Sequence, residues 1–257
     1  MVTVVRAGQR IDAVRVARER VQFLNFYLQP TSINFPKVLT FEKLFRMPLE
    51  KIVQEPGRAW ALWRISETES ELAARVLPYE TVPDTLVHPN KRLEYLAGRA
   101  LVKTIMEKMG LSFQGITKDE FGKPYPEGYD HHLSLSHSYP YVGALLDLNQ
   151  AVGIDLEQPK DKLFRIAPRV FAPEELHDAG TSLTKHCIYW CAKEALLKVY
   201  GKKDLVFSEN LLISPFREEM EGEIHGRIIV KDRVSMIPLH YSVYPNFVVV
   251  FNQSKKI

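Results

Sequence analysis

The chain changes its hydrophobic period several times, and each change marks an element. Residues 59–65, Ala-Trp-Ala-Leu-Trp-Arg-Ile, read as an apolar strand. Ser66 and Glu69 stand at capping-box spacing, which predicts a helix over 66–77. Over 90–110 the apolar positions Leu93, Leu96, Ala97, Ala100, Leu101, Ile105 and Met109 recur at the helical period, and Gly110 closes the run. Short apolar runs punctuated by Gly and Pro then predict strands in 116–126, 132–139 and 141–147. The second half repeats this order loosely. A strand at 151–157 precedes helical segments at 161–170 and 173–179 and a long helix over 182–201. Strands are expected in 206–216, 222–231 and 238–252. The expected fold is α+β: two similar halves, 47–150 and 151–257, related by a pseudo-twofold. Each would pack a small, mostly antiparallel sheet on a long helix, with the active-site cleft between them.

Composition narrows the class. Of 257 residues 46% are hydrophobic and 25% charged, the profile of a soluble globular protein. No apolar run reaches the ~20 residues of a membrane-spanning helix, and the N-terminus lacks a secretory apolar block. The two cysteines, Cys187 and Cys191, fit a reduced cytoplasmic protein. The net charge of +3 is unevenly placed. Residues 1–46 hold eight Lys/Arg and three Asp/Glu, net +5, whereas the remainder carries net −2. Residues 47–257 therefore show no basic footprint for nucleic acid.

The chemistry-bearing residues sit at element ends. In Ala151-Val-Gly-Ile-Asp-Leu-Glu157, strand alternation puts Asp155 and Glu157 on one face and Leu156 on the other. Two carboxylates on one face repel unless a cation sits between them, although a strand end running into solvent has the same pattern. In Trp190-Cys-Ala-Lys-Glu-Ala-Leu-Leu-Lys198, Glu194 and Lys198 share a helix face, as an exposed ion pair would or as a metal ligand and a phosphate-binding lysine would. Ser134, Ser136 and Ser138 alternate with Leu133 and Leu135. His137 follows the leucine face by parity and, taken alone, fits a structural histidine as well as a ligand. Lys123 is presented by a Gly/Pro turn that also fits a solvated hairpin tip.

In this order and at these spacings, Val152-Gly-Ile-Asp-Leu-Glu157, Trp190–Lys198, Leu133–Ser138 and Phe121-Gly-Lys-Pro-Tyr125 resemble the 4′-phosphopantetheinyl transferases, specifically the pseudo-dimeric surfactin-synthetase type. Glu194 follows Asp155 by 39 residues, the family's interval, and Lys91–Leu101 resembles a helix of its N-terminal half. The resemblance spans about 57–252. It implies transfer of the phosphopantetheine arm of coenzyme A to a serine of an apo acyl or peptidyl carrier protein, releasing adenosine 3′,5′-bisphosphate. It implies Mg²⁺ held by Asp155, Glu157 and Glu194. Glu194 would accept the serine proton directly or through a water, and Lys198 would stabilise the leaving phosphate. Arg92, Lys123, Ser136, His137 and Lys198 would bind coenzyme A. A monomer is expected, with the carrier protein as partner and neither nucleic acid nor membrane.

Two other functions use some of the same residues: a two-metal nuclease with a D…E-x-K site, and a non-catalytic carrier-binding module on the same fold. The first normally places its Glu and Lys on a strand, whereas 190–200 is helix-forming. The second would be expected to have lost an acid or the lysine. The resemblance does not reach residues 1–46. Met47 is expected to be the true start, with an Arg-rich targeting peptide or a partner-binding arm as the alternatives. Val14, Ala17, Val21, Leu24 and Leu28 would form the stripe of an amphipathic helix over 10–28.

Overall fold

The computed structural model of the chain describes residues 49–254. The expectations for residues 1–46, including the helix over 10–28 and the start at Met47, lie outside the described residues. In chain order, β1 (Leu49–Glu55) and β2 (Arg58–Arg64) lead to α1 (Glu69–Val76) and α2 (Pro89–Lys108). A two-stranded ribbon follows, β3 (Ile116–Lys118) and β4 (Pro124–Pro126), then the hairpin β5 (His132–Ser138) and β6 (Tyr141–Asp147). β7 (Ile154–Glu157) opens the second half and is followed by α3 (Lys162–Val170), α4 (Pro173–Ala179), α5 (Leu183–Tyr200) and α6 (Phe207–Asn210). The chain then forms β8 (Leu211–Ile213), β9 (Glu221–Val230), β10 (Arg233–Val243) and β11 (Val248–Asn252).

The class is α+β, with antiparallel sheets throughout. The first sheet has the order β1-β2-β6-β5 and the second β7-β11-β10-β9-β8. Each half thus sets a long helix on an antiparallel sheet, with four strands in one and five in the other. Strand parity explains the layers. Ala59, Ala61 and Trp63 of β2 pack under Leu96, Leu101 and Ile105 of α2. Trp60 and Leu62, on the opposite face, pack against Ile154, Leu156, Val249 and Phe251 of the second sheet. Val248 and Val250 turn the other way, onto Ile188, Ala192 and Leu196 of α5. The layers therefore run helix, sheet, sheet, helix. Residues 59–63 read as continuously apolar because β2 is covered on both faces.

Three local readings change. The cap of α1 is Thr68, not Ser66. The Glu71 amide donates to Thr68 Oγ1 (3.3 Å) while the Thr68 amide donates to Glu71 Oε2 (2.8 Å). That reciprocal box delays the helix to Glu69. β1 was not expected, because Lys51, Gln54 and Glu55 blur the alternation of an edge strand. Residues 206–216, expected as strand, begin with α6, because Asn210 Oδ1 accepts from the Val206 amide (2.8 Å) and closes a turn. No helix among the described residues is long and apolar enough to cross a membrane.

Candidate active site

The site is built where the edge of the second sheet meets its own helix and the hairpin of the first. β7 is an edge strand, hydrogen-bonded to β11 on one side. Ile154 and Leu156 enter the core between the sheets, which sends Asp155 and Glu157 out by the other face. Just before the strand, Gly153 touches the helix backbone. A Cβ on it would lie 2.0 Å from the Ala195 carbonyl oxygen. This contact places Asp155 against the last turns of α5. Lys198 Nζ donates to Asp155 Oδ1 (2.7 Å) and to the Ile154 carbonyl (2.9 Å). Glu194, one turn earlier, takes no hydrogen bond or ion pair from a described residue. Burial and the charge of Asp155 push its carboxyl up to about 7, against the pull of Lys198.

Glu157 is more fully engaged. It accepts from Ser138 Oγ, the Gln158 amide and Lys162 Nζ, each at 2.8 Å. Burial would raise its carboxyl, but these donors outweigh burial and hold it below the usual range. The serines of β5 line the unpaired edge of β7. Ser134 Oγ accepts from the Ile154 amide (3.0 Å). Ser136 Oγ accepts from the Leu156 amide (3.2 Å) and donates to Asp155 Oδ1 (2.6 Å).

Two adjoining cavities open beside these acids, with Gly122, Pro124 and Leu135 in the wall they share. One, of about 240 Å³, is lined by Glu194 and Lys198 together with Lys123, Lys202, Lys203 and Phe121. Lys123 reaches the Val199 carbonyl (3.4 Å), and burial lowers its proton affinity. The other, of about 280 Å³, is lined by Ser136, His137, Lys91, Arg99, Lys118 and Glu94. His137, on the leucine face of β5, brings Nδ1 to 3.1 Å from Glu94 Oε2, and Lys91 Nζ lies 2.6 Å from the same oxygen. Burial would raise the Glu94 carboxyl, yet the His137 and Lys91 bonds take it down to about 2.

Of the residues marked in the sequence, Asp155, Glu157, Glu194, Lys198, Lys123, Ser136 and His137 therefore gather in and around one cleft. Arg92 does not join them. It makes a forked pair with Glu69 (2.8 and 2.6 Å), donates to the Leu86 carbonyl, and lines neither cavity. Lys193 turns into the core, fully buried, with Nζ 2.7 Å from Glu175 Oε2 and bonded to the Phe207 and Leu211 carbonyls. Glu94, Lys162, Lys202 and Lys203 were not singled out from the sequence. Glu94 carried a signal: it lies one turn before Ala97 and Gly98 and two turns before Leu101, on the buried stripe of α2.

Residues 151–239 match the family described as the 4′-phosphopantetheinyl transferase superfamily. The resemblance read from the motifs is thus found again by direct comparison. A Bacillus subtilis protein named 4′-phosphopantetheinyl transferase is 35% identical over 118 residues, 42% of this chain and 51% of its own. A Bacillus subtilis (strain 168) protein named 4′-phosphopantetheinyl transferase Sfp is 31% identical over 118 residues, with the same coverage. A Haemophilus influenzae protein carrying the name "Putative 4′-phosphopantetheinyl transferase" is 32% identical over 145 residues, 49% of this chain and 61% of its own. The chain spans between about half and three fifths of the length of these relatives. Asp155, Glu157, Glu194 and Lys198 fall inside the superfamily match, whereas Arg92, Lys123, Ser136 and His137 precede it.

Proposed function

We propose that the chain transfers the 4′-phosphopantetheine group of coenzyme A to a serine of an apo acyl or peptidyl carrier protein, releasing adenosine 3′,5′-bisphosphate, with Mg²⁺ as cofactor. The observation that carries this reading is that Glu194 and Lys198 line a lysine-rich cleft, with Asp155 bonded to Lys198 just behind them. A pyrophosphate substrate asks for that combination of hard oxygen ligands and cations.

The donor set suits Mg²⁺. Its side chains are carboxylates, and the charge of Asp155 raises the cost of ionising Glu194, which a cation relieves. Among the described residues no three His, Cys, Asp or Glu side chains close into a ready-made cage. Mg²⁺ takes one or two carboxylates and completes its shell with waters and substrate phosphates. Asp155 and Glu194, with Glu157 beside them, would hold it. When bound, the ion supplies Lewis-acid neutralisation of pyrophosphate charge.

The chain's own groups do the rest. Lys198 and Lys123 face the cavity as phosphate-binding cations. Glu194, directly or through a water, accepts the proton of the attacking serine. His137 turns Nδ1 to Glu94, and as an imidazolium it would present Nε2–H to the 3′-phosphate of coenzyme A. The geometry gives the nuclease alternative no support, because Lys193 is buried on Glu175 and Glu194 sits on a helix.

Intact-mass measurement tests the proposal. Candidate apo carriers are incubated with the protein, coenzyme A and Mg²⁺. The expected result is a mass gain of one phosphopantetheine on at least one carrier, with adenosine 3′,5′-bisphosphate as co-product. Coenzyme A binding without any mass gain would favour the non-catalytic module. No binding of coenzyme A would reject the reading altogether.

A further inference from the structure

The serines of β5 cannot do two jobs at once. A hydroxyl has one proton to donate. Ser136, only 6% exposed, donates that proton to Asp155 Oδ1 at 2.6 Å and accepts from the Leu156 amide at 3.2 Å. A phosphate oxygen is an acceptor, so Ser136 could reach one only by releasing Asp155. Ser138 stands two residues on, and its proton goes to Glu157 Oε1 at 2.8 Å. Both serines lie in the first half of the molecule, and both acids lie in the second. Successive serines thus meet successive acids across the junction, at the same separation along both strands.

We infer that Ser136 and Ser138 are positioning residues for Asp155 and Glu157, aiming the strand acids from the opposite half; Ser136 borders the cavity of His137 and Lys91, but its hydroxyl proton is committed to Asp155. This rests on the proposed function for the identity of the site. Two carboxylates on one strand face repel and would otherwise swing apart. A serine donor to each fixes its rotamer. At Asp155 the division is plain. Oδ1 takes both Ser136 and Lys198, while Oδ2 takes no hydrogen bond from a described residue and remains for a cation. Outer-shell donors of this kind tune the affinity of a metal site through the ligands that they orient.

Ser134 supplies the control. It belongs to the same row and is 2% exposed, but it bonds the Ile154 amide and no acid. The experiment titrates Mn²⁺ into the full chain, followed by electron paramagnetic resonance, for wild type, Ser136→Ala, Ser138→Ala and Ser134→Ala. Thermal unfolding and the affinities for coenzyme A and dephospho-coenzyme A are measured on the same samples. Ser136→Ala and Ser138→Ala are expected to weaken Mn²⁺ by about tenfold each. Their preference for coenzyme A over dephospho-coenzyme A should stay at the wild-type ratio. Ser134→Ala should lower the melting temperature and leave Mn²⁺ affinity unchanged.

Wild-type Mn²⁺ affinity in Ser136→Ala and Ser138→Ala would overturn the inference. So would loss of the coenzyme A preference in Ser136→Ala, which would return that serine to the phosphate pocket. Equal weakening in Ser134→Ala would show only a loosened junction and would overturn it as well. If the wild type binds Mn²⁺ and the two variants lose it, but no carrier gains mass, the transferase reading fails while the positioning role stands. A wild type that binds no Mn²⁺ overturns both.

Discussion

Gly153→Ala tests how the fold builds the site. The added Cβ would meet the Ala195 carbonyl oxygen at 2.0 Å, the Ala195 carbonyl carbon at 2.9 Å and the Val199 amide nitrogen at 3.0 Å. Carbon and oxygen touch at about 3.3 Å, so strand and helix must separate by more than ~1 Å. The obstacle is helix backbone, which cannot rotate aside as a side chain can. Retreat is also blocked on the strand side. The Gly153 amide donates to Asn252 Oδ1 (2.9 Å), the Asn252 amide donates to the Gly153 carbonyl (3.1 Å), and Arg58 is bonded to the Asn252 carbonyl. Overpacking a tight core costs roughly 1–3 kcal/mol, and this contact belongs at the upper end, about 3 kcal/mol. For a folded unit of this size that lowers the melting temperature by roughly 6–12 °C. The same displacement carries Asp155 away from Glu194 and Lys198. A misplacement of ~1 Å in a reacting constellation costs on the order of 100-fold in rate. Calorimetry and the carrier mass-gain assay, run well below the variant's melting temperature, measure both effects. A Gly153→Ala protein with wild-type stability and rate would refute the view that backbone contact between β7 and α5 sets the site.

Lys193→Met is expected to cost about 3–5 kcal/mol, read as the urea midpoint, because it strands the buried Glu175 carboxylate. The rate per folded molecule should stay near wild type, and a dead but fully stable variant would move Lys193 into the chemistry. In the metal-free protein the Glu194 carboxyl keeps its proton up to about 7, whereas the unfolded chain loses it near 4.5. Its stabilising contribution is therefore complete below pH 4.5 and is lost as pH rises through 7, and Glu194→Gln should flatten that slope in thermal scans. Glu94 has the opposite sign. Its carboxyl is lowered to about 2, so its contribution is present above 4.5 and is lost as pH falls toward 2. Glu94→Gln should make acid unfolding shallower over that window, and an unchanged acid limb would remove Glu94 as the partner of His137. His137→Ala should weaken coenzyme A more than dephospho-coenzyme A in calorimetric titrations, and equal weakening would take His137 out of the 3′-phosphate contact.

Much of the fold was legible because its signals are local. The stripe of α2 and the glycine that ends it lie within one segment, and Gly110 does take a positive φ of 77°. The alternation of 132–147 belongs to a hairpin whose strands pair with each other. The errors fall where two local signals compete. Ser66 and Thr68 both precede an acid three residues on, and Thr68 wins because Glu71 returns the bond. Pro238 lies inside β10, next to two partner strands, which argues against a central strand. It is tolerated because the β11 ladder begins only at Leu239, so the missing donor is not needed there.

The site divides along the same line. Asp155 with Glu157, and Glu194 with Lys198, are pairs within one strand and one helix, so periodicity alone sets their faces. Lys193 and Glu194 are adjacent in a motif but about 100° apart around the helix, since one turn takes 3.6 residues. Tyr189, Ala192, Lys193 and Leu196 form a single buried stripe, and that stripe was the clue that Lys193 is structural. Arg92 escaped such reasoning, because its partner Glu69 comes from another helix, 23 residues earlier. The serine row is the hardest case. Alternation correctly sets Ser134, Ser136 and Ser138 on one face, but a polar face on an edge hairpin can meet a ligand, water or another strand. What decides among these is the bare edge of β7, whose amides need acceptors and whose acids need donors. A strand of four residues that pairs on one side only leaves that demand open, and three hydroxyls spaced at the strand repeat meet it.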